Sequence, residues 1–197
     1  ERSVKKPKNR GVVKVPVVMQ MEALECGAAA LCMVLAYYNK WIPLEQVRSD
    51  CGVSRDGSNA RNILMAARNY GLEADGYRLE PDDLMNEGSF PCIIHWEFNH
   101  FVVCNGFKGN KVYLNDPARG NYTISKERFD EGFTGIALML EPGENFEPGG
   151  KQKSVIELAK KRLSGAGGAV AFVATTTIIT SLSTIIGMGF SRVFLDN

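Results

Sequence analysis

CGAAALCMVLAYY, residues 26–38, decides the fold: thirteen residues without one charged side chain. Ala28, Ala29 and Ala30 lead into Leu31, Cys32, Val34 and Leu35, so apolar residues occupy every side of the helical period. A helix of that kind belongs inside a core. Downstream, Pro43 stands at the start of a short helix ending at Gly52. Ser58 is placed to cap a helix running through Ile63, Leu64 and Ala67 to a terminating Gly71. Pro81 opens a further helical turn. From Phe90 onward the pattern turns to β: PCIIHW (91–96), HFVVCNGF (100–107), KVYLND (111–116), GNYTIS (120–125) and GIALMLE (135–141). Turn residues such as Gly109-Asn110 and Arg119-Gly120 separate these runs. Helices followed by strands predict an α+β fold with an antiparallel sheet.

The 197 residues leave room for one domain of roughly 150 residues and an appendage. With 45% hydrophobic and 23% charged residues the composition is globular, and a net charge of +1 argues against nucleic acid as a partner. Residues 1–10 are polar and basic (Lys5, Lys6, Lys8, Arg10) with no apolar run behind them, so no secretory signal is expected. The five cysteines are odd in number and none has C-x-x-C spacing, which suggests neither a disulfide framework nor a zinc site. With only His95 and His100 as imidazoles, no metal is expected. Free thiols point to a reducing compartment, the cytosol.

The chain divides into a basic extension (1–12), a mixed body (13–141), a linker (142–153) that takes in all but the first residue of EPGENFEPGG (141–150), a basic amphipathic helix (154–164) and an apolar segment (165–191). Residues 163–191 carry no charge, which is long enough to cross a bilayer. Seven hydroxyls between Thr175 and Thr184 dilute the stretch, so a buried or amphipathic helix is the competing reading. The hydroxyls can bond back to helix carbonyls, and small residues suit packing within a membrane. Lys151, Lys153, Lys160, Lys161 and Arg162 cluster on its N-terminal side, which places the body in the cytoplasm. The expectation is the front end of a larger membrane protein.

Cys26 opens the buried helix, where the dipole and free N–H groups favour a thiolate. Gly27 and three alanines behind it let a substrate backbone approach. A small buried hydrophobe is the other reading of a free cysteine. His100 begins an apolar strand and is a candidate base, with His95 as its rival. Asp116 ends a strand before Pro117 and is suited to orienting the histidine. Gln20, six residues before Cys26, has an amide able to donate to an oxyanion beside the Cys26 N–H. Trp96 reads equally as a cleft wall or a core residue, and Asn99 as a partner of the base or a turn residue. His95 reads as structural, and Cys32, Cys51, Cys92 and Cys104 as packing residues.

The order Gln, Cys, His, Asp, with cysteine on a helix and histidine on a sheet, resembles the papain-like arrangement. More specifically, VPVVMQMEALECGAAALCMVLAYY (15–38) resembles the cysteine motif of the peptidase domains that open bacteriocin-processing ABC transporters. HWEFNHFVVCNGFKGNKVYLNDPARGNYTISKERFDEGFTG (95–135) resembles their histidine and aspartate motifs. GMGFSRVFLDN (187–197) is similar to the end of the first membrane helix in exporters of lanthipeptides and related modified peptides.

The resemblance implies a papain-like cysteine protease fold followed by a transmembrane helix. It implies Cys26 as nucleophile, His100 as base, Asp116 as orienter and Gln20 as oxyanion donor; beside it, Trp96, Asn99 and Gly27 are the candidate substrate contacts. The reaction implied is removal of an amphipathic helical leader after Gly-Gly or Gly-Ala, coupled to export by a homodimer in the bacterial cytoplasmic membrane. No cofactor is implied for the peptidase body. ATP and Mg belong to a nucleotide-binding domain, and no G-x-x-x-x-G-K-S/T occurs here. A non-cleaving docking module for the leader is the alternative. Glu25 stands where many relatives carry Asp. The leader-binding groove is expected around residues 63–80 and 101–114.

Overall fold

The computed structural model describes residues 4–53, 57–151, 165 and 167–195. The basic amphipathic helix expected at 154–164 lies outside them. The chain forms two compact units, residues 1–151 and 152–197.

In the first unit, α1 (Cys26–Tyr37) is buried along its whole length, as an all-apolar helix must be. It packs on the sheet and against α2 (Leu44–Asp50) and α3 (Ala60–Asn69). Two more short helices follow, α4 (Pro81–Glu87), opened by its proline, and α5 (Lys126–Gly132). The sheet contains β1 (Leu72–Arg78), β2 (Cys92–Trp96), β3 (His100–Lys108), β4 (Lys111–Asp116), β5 (Gly120–Ser125) and β6 (Phe133–Pro142). All neighbours are antiparallel, in the order β1-β6-β2-β3-β4-β5.

Several expectations need correction. The cap of α3 is Asn59, whose side chain accepts the Asn62 N–H at 2.8 Å; the Ser58 hydroxyl instead donates to the Leu24 carbonyl at 3.2 Å. The strand LEADGYR (72–78) and the helix KERFDEG (126–132) had no counterpart in the sequence reading. Phe101–Phe107 are all buried within β3, so that part of the leader groove expected at 101–114 is core, while residues 108–111 are exposed.

Both ends of the body are strapped onto it. Lys8 and Phe90 exchange a pair of 2.9 Å backbone hydrogen bonds, and the Tyr37 hydroxyl donates to the Lys6 carbonyl at 3.1 Å. After β6, Phe146 is buried with its ring centroid 6.1 Å from that of Tyr38. Trp41 N–H then donates to Gly149 O at 2.7 Å and Gly149 N–H to Asn39 O at 3.1 Å. Gly150 has φ 73°, and a Cβ there would lie 2.2 Å from the Trp41 carbonyl oxygen. The segment read as a linker from residue 142 is thus packed structure as far as Lys151.

The second unit contains α6 (Gly167–Leu195). Its Gly167–Met188 portion has a mean hydropathy of 1.8 over its most apolar window and is long enough to cross a bilayer. The hydroxyls of Thr175, Thr176, Thr177, Thr180, Ser183 and Thr184 donate to carbonyls one turn back, which removes most of their polarity from the helix surface.

Candidate active site

Glu25 organises the approach to α1. Its carboxylate, 5% exposed, accepts the Met21 and Glu22 N–H groups at 3.0 and 3.1 Å and pairs with Arg48 at 2.9 Å. A 3-10 turn (Ala23–Glu25) results, and it delivers the chain into α1 with Cys26 as the first residue. The same loop is tied to the β4–β5 turn by the 2.9 Å bond from Gln20 N–H to Pro117 O.

Gly27 has a packing reason for its identity. A Cβ there would lie 2.6 Å from both the Ile63 Cδ1 and the Ser58 Cβ, so the absent side chain is what lets α1 meet the start of α3. The Gly27 α-carbon faces α3, and its N–H bonds toward the Cys26 sulfur.

His100 opens β3 and Asp116 closes β4, so adjacent antiparallel strands present both at one end of the sheet. The His100 Nε2 lies 2.7 Å from Asp116 Oδ1, and the same oxygen accepts the Ala118 N–H at 2.7 Å. Asp116 is only 3% exposed. With Nε2 engaged, Nδ1 is left to meet Cys26, whose thiol is hydrogen-bonded to His100. Burial pushes the Cys26 thiol up, but the His100 bond, the Phe101 and Gly27 N–H groups and attraction to His100 outweigh it and hold the pKa below the usual thiol value. Burial likewise pushes His100 down, and Cys26 and Asp116 together raise it above the usual imidazole range. Opposed shifts of this kind favour a thiolate–imidazolium pair.

His95 is engaged elsewhere. Its Nδ1 lies 2.9 Å from Thr134 Oγ1 and its ring centroid 5.1 Å from that of Phe101. Burial and the charge of His100 hold it below the usual imidazole range.

A cleft of about 350 Å³ begins at His100 and Asp116, and Gln20, Trp96 and Asn99 all line it. The Gln20 Oε1 is buried without a hydrogen-bond partner. Trp96 is a wall whose body is core: it is 6% exposed, and a Cβ on Gly132 would lie 2.5 Å from its ring. The Arg128 guanidinium covers it at 5.5 Å. Two residues that the sequence reading passed over also belong here. Glu97 and Arg119 flank the cleft from two hairpin turns. Glu97 and Phe98 have φ of 47° and 62°, an uncommon backbone region for such residues.

The peptidase C39 family model matches residues 14–145. The chain belongs to the peptidase C39 family. The C39 domain here is therefore a cysteine peptidase. It is 40% identical over 133 residues to the probable microcin-H47 secretion/processing ATP-binding protein MchF of Escherichia coli, covering 68% of this chain and 19% of that protein. The chain thus spans about a fifth of the length of such relatives. Among solved structures, a double glycine motif protease from an AMS/PCAT transporter, in complex with the leader peptide, is 70% identical with a TM-score of 0.69. That match covers 70% of this chain and 99% of the other. The peptidase domain of Streptococcus ComA, a bi-functional ABC transporter involved in a quorum sensing pathway, is 27% identical with a TM-score of 0.61. It covers 66% of this chain and 98% of that one.

Proposed function

We propose that this domain removes the leader of a ribosomally made precursor peptide of the bacteriocin or lanthipeptide type, cutting after Gly-Gly or Gly-Ala. The observation that carries the reading is the line of Cys26 sulfur, His100 imidazole and Asp116 carboxylate at the edge of an open cleft. The Cys26 thiolate attacks the carbonyl carbon of the second small residue, and the oxyanion takes hydrogen bonds from the Cys26 N–H and the Gln20 side-chain amide. His100 gives its proton to the departing amine, leaving a thioester. It then takes a proton from water, which attacks the thioester and releases the leader with a free carboxylate.

Two glycines offer no side chain to grip, so affinity comes from the leader helix. Its seat is on the α3 side of the sheet, at Met65 of α3 and Ile136 of β6, which are 50% and 38% exposed. Large apolar groups left in water suit the apolar stripe of an amphipathic helix.

The apolar helix and the exporter names of the relatives support a further part of this reading. The body faces the cytoplasm of a bacterium from the start of a homodimeric exporter, whose missing domain uses ATP and Mg to move the released peptide.

The test incubates residues 1–151 with a synthetic leader–core peptide. Cutting after the second glycine, lost in Cys26→Ala and with a bulky residue in place of that glycine, supports a leader peptidase. Tight binding without cutting by the wild type overturns it in favour of a docking module.

A further inference from the structure

Gln20, His100 and Asp116 line the cleft and serve the reaction, but the two turns that flank it have no role as described so far. The cleft's place relative to the chemistry is fixed by proton transfer. His100 protonates the departing amine, so the chain that follows the scissile bond leaves on the imidazole side of Cys26. The cleft is bounded by His100 and Asp116 and lacks Gly27, Ser58 and every residue of α3. It therefore lies on the side of the core peptide, opposite to the leader.

Two hairpin turns form its flanks, both at the end of the sheet that carries His100 and Asp116. One is the β2–β3 turn with Glu97 and Asn99, the other the β4–β5 turn with Ala118 and Arg119. The charges on these flanks are not equally free. Glu97 is paired with Arg128, and Asp116 is committed to His100 and the Ala118 N–H. Arg119 has a side chain 77% exposed, and its one ion pair among the described residues is a long 4.0 Å approach to Asp116 Oδ2. The free charge of the cleft is thus positive, while Asn99 adds an exposed amide on the opposite flank.

We propose that this cleft is the binding site for the first residues of the core peptide, and that Arg119 selects acidic side chains there over basic ones. The proposal rests on the peptidase reading above. An exposed pair of charges is worth at most a few-fold in affinity, so attraction of an acid and repulsion of a base together set a preference of about fivefold.

The experiment measures kcat/KM for three peptides that share one leader and Gly-Gly but begin the core with Asp-Asp, Ala-Ala or Lys-Lys. Wild type, Arg119→Ala and Arg119→Glu are compared at low ionic strength. Each enzyme is read as its ratio of Asp-Asp to Lys-Lys, so any change in the chemical step cancels. The expected ratio is about five for wild type, close to one for Arg119→Ala and about one-fifth for Arg119→Glu, all converging in high salt. Equal ratios in wild type and Arg119→Glu overturn the proposal while leaving the peptidase intact. Failure of wild type to cut the Ala-Ala peptide overturns the peptidase reading and this proposal with it.

Discussion

The carboxylate of Asp116 holds the His100 Nε2 at 2.7 Å and is itself held by the Ala118 N–H at 2.7 Å. The imidazole is therefore fixed at one nitrogen before any substrate arrives, with the other presented to Cys26. Asp116→Asn weakens that hold and removes a charge that raises His100. Loss on the order of 100-fold in kcat/KM is expected, in the range by which a misplaced general base fails. A full-length titration of rate against pH is the check, because the alkaline limb must also move to lower pH.

The pH profile of the unaltered enzyme follows from the two opposed shifts. Cys26 is held below its ordinary value, so the thiolate survives on acidification until that lowered pKa is passed. His100 is held above its ordinary value, so the imidazolium survives on raising the pH until that higher pKa is passed. The pair is populated between the two, which gives a bell-shaped kcat/KM with its acidic limb set by Cys26 and its alkaline limb by His100. A profile that rises steadily to high pH, as for a free thiol, would contradict this arrangement.

Alkylation separates the cysteines. Cys32 and Cys51 are pushed up to about 12 by burial, and Cys92 is raised by its hydrogen bond with Cys104 and by burial. Iodoacetamide at neutral pH should modify one thiol per folded chain, and Cys26→Ala should abolish that labelling. Peptide mapping by mass spectrometry identifies the site.

Gly27→Ala forces a methyl against Ile63 and Ser58 at 2.6 Å. A loss of about 1–3 kcal/mol in unfolding free energy is expected. Ile63→Val removes one of the two opposing carbons, so the double variant should recover part of the loss in urea titrations.

Glu25→Ala leaves the Met21 and Glu22 N–H groups without their acceptor and takes from Arg48 one of its two carboxylate partners, Glu22 remaining. About 1 kcal/mol should be lost, the net worth of hydrogen bonds from a loop that water can partly reach. Arg48→Met should cost less, because its side chain is already 39% exposed. Equal losses from the two variants would show that the ion pair, and not the backbone cap, carries the stability.

What could be read from residues alone was what short-range pattern specifies. The all-apolar run behind Cys26 admits only a buried helix, and the alternation from Cys92 to Ser125 gives three consecutive hairpin-linked pairings. β1 escaped notice because LEADGYR buries only Leu72 and Ala74, and its partner β6 is far along the chain. α5 is a seven-residue helix with one large buried side chain, Phe129, too little to show a period. Ser58 and Asn59 are both good caps, and only the contact of Ser58 with Leu24 decides between them. Glu97 and Arg119 looked like ordinary turn residues, because their proximity is created by two hairpins closing at one end of the sheet.

The strap that seats Phe146 and joins Gly149 to the loop Asn39–Trp41 is where the polypeptide leaves the body. Lys151 is separated from β6 by the Trp41 and Asn39 backbone bonds to Gly149. β6 lies between β1 and β2, so peeling it away would split the sheet beside the strand that leads into Trp96 and His100. The anchored loop follows the far end of α1, roughly 17 Å along the helix from the nucleophile. A pull applied at Lys151 would therefore meet these backbone bonds before it met the strands that carry the site.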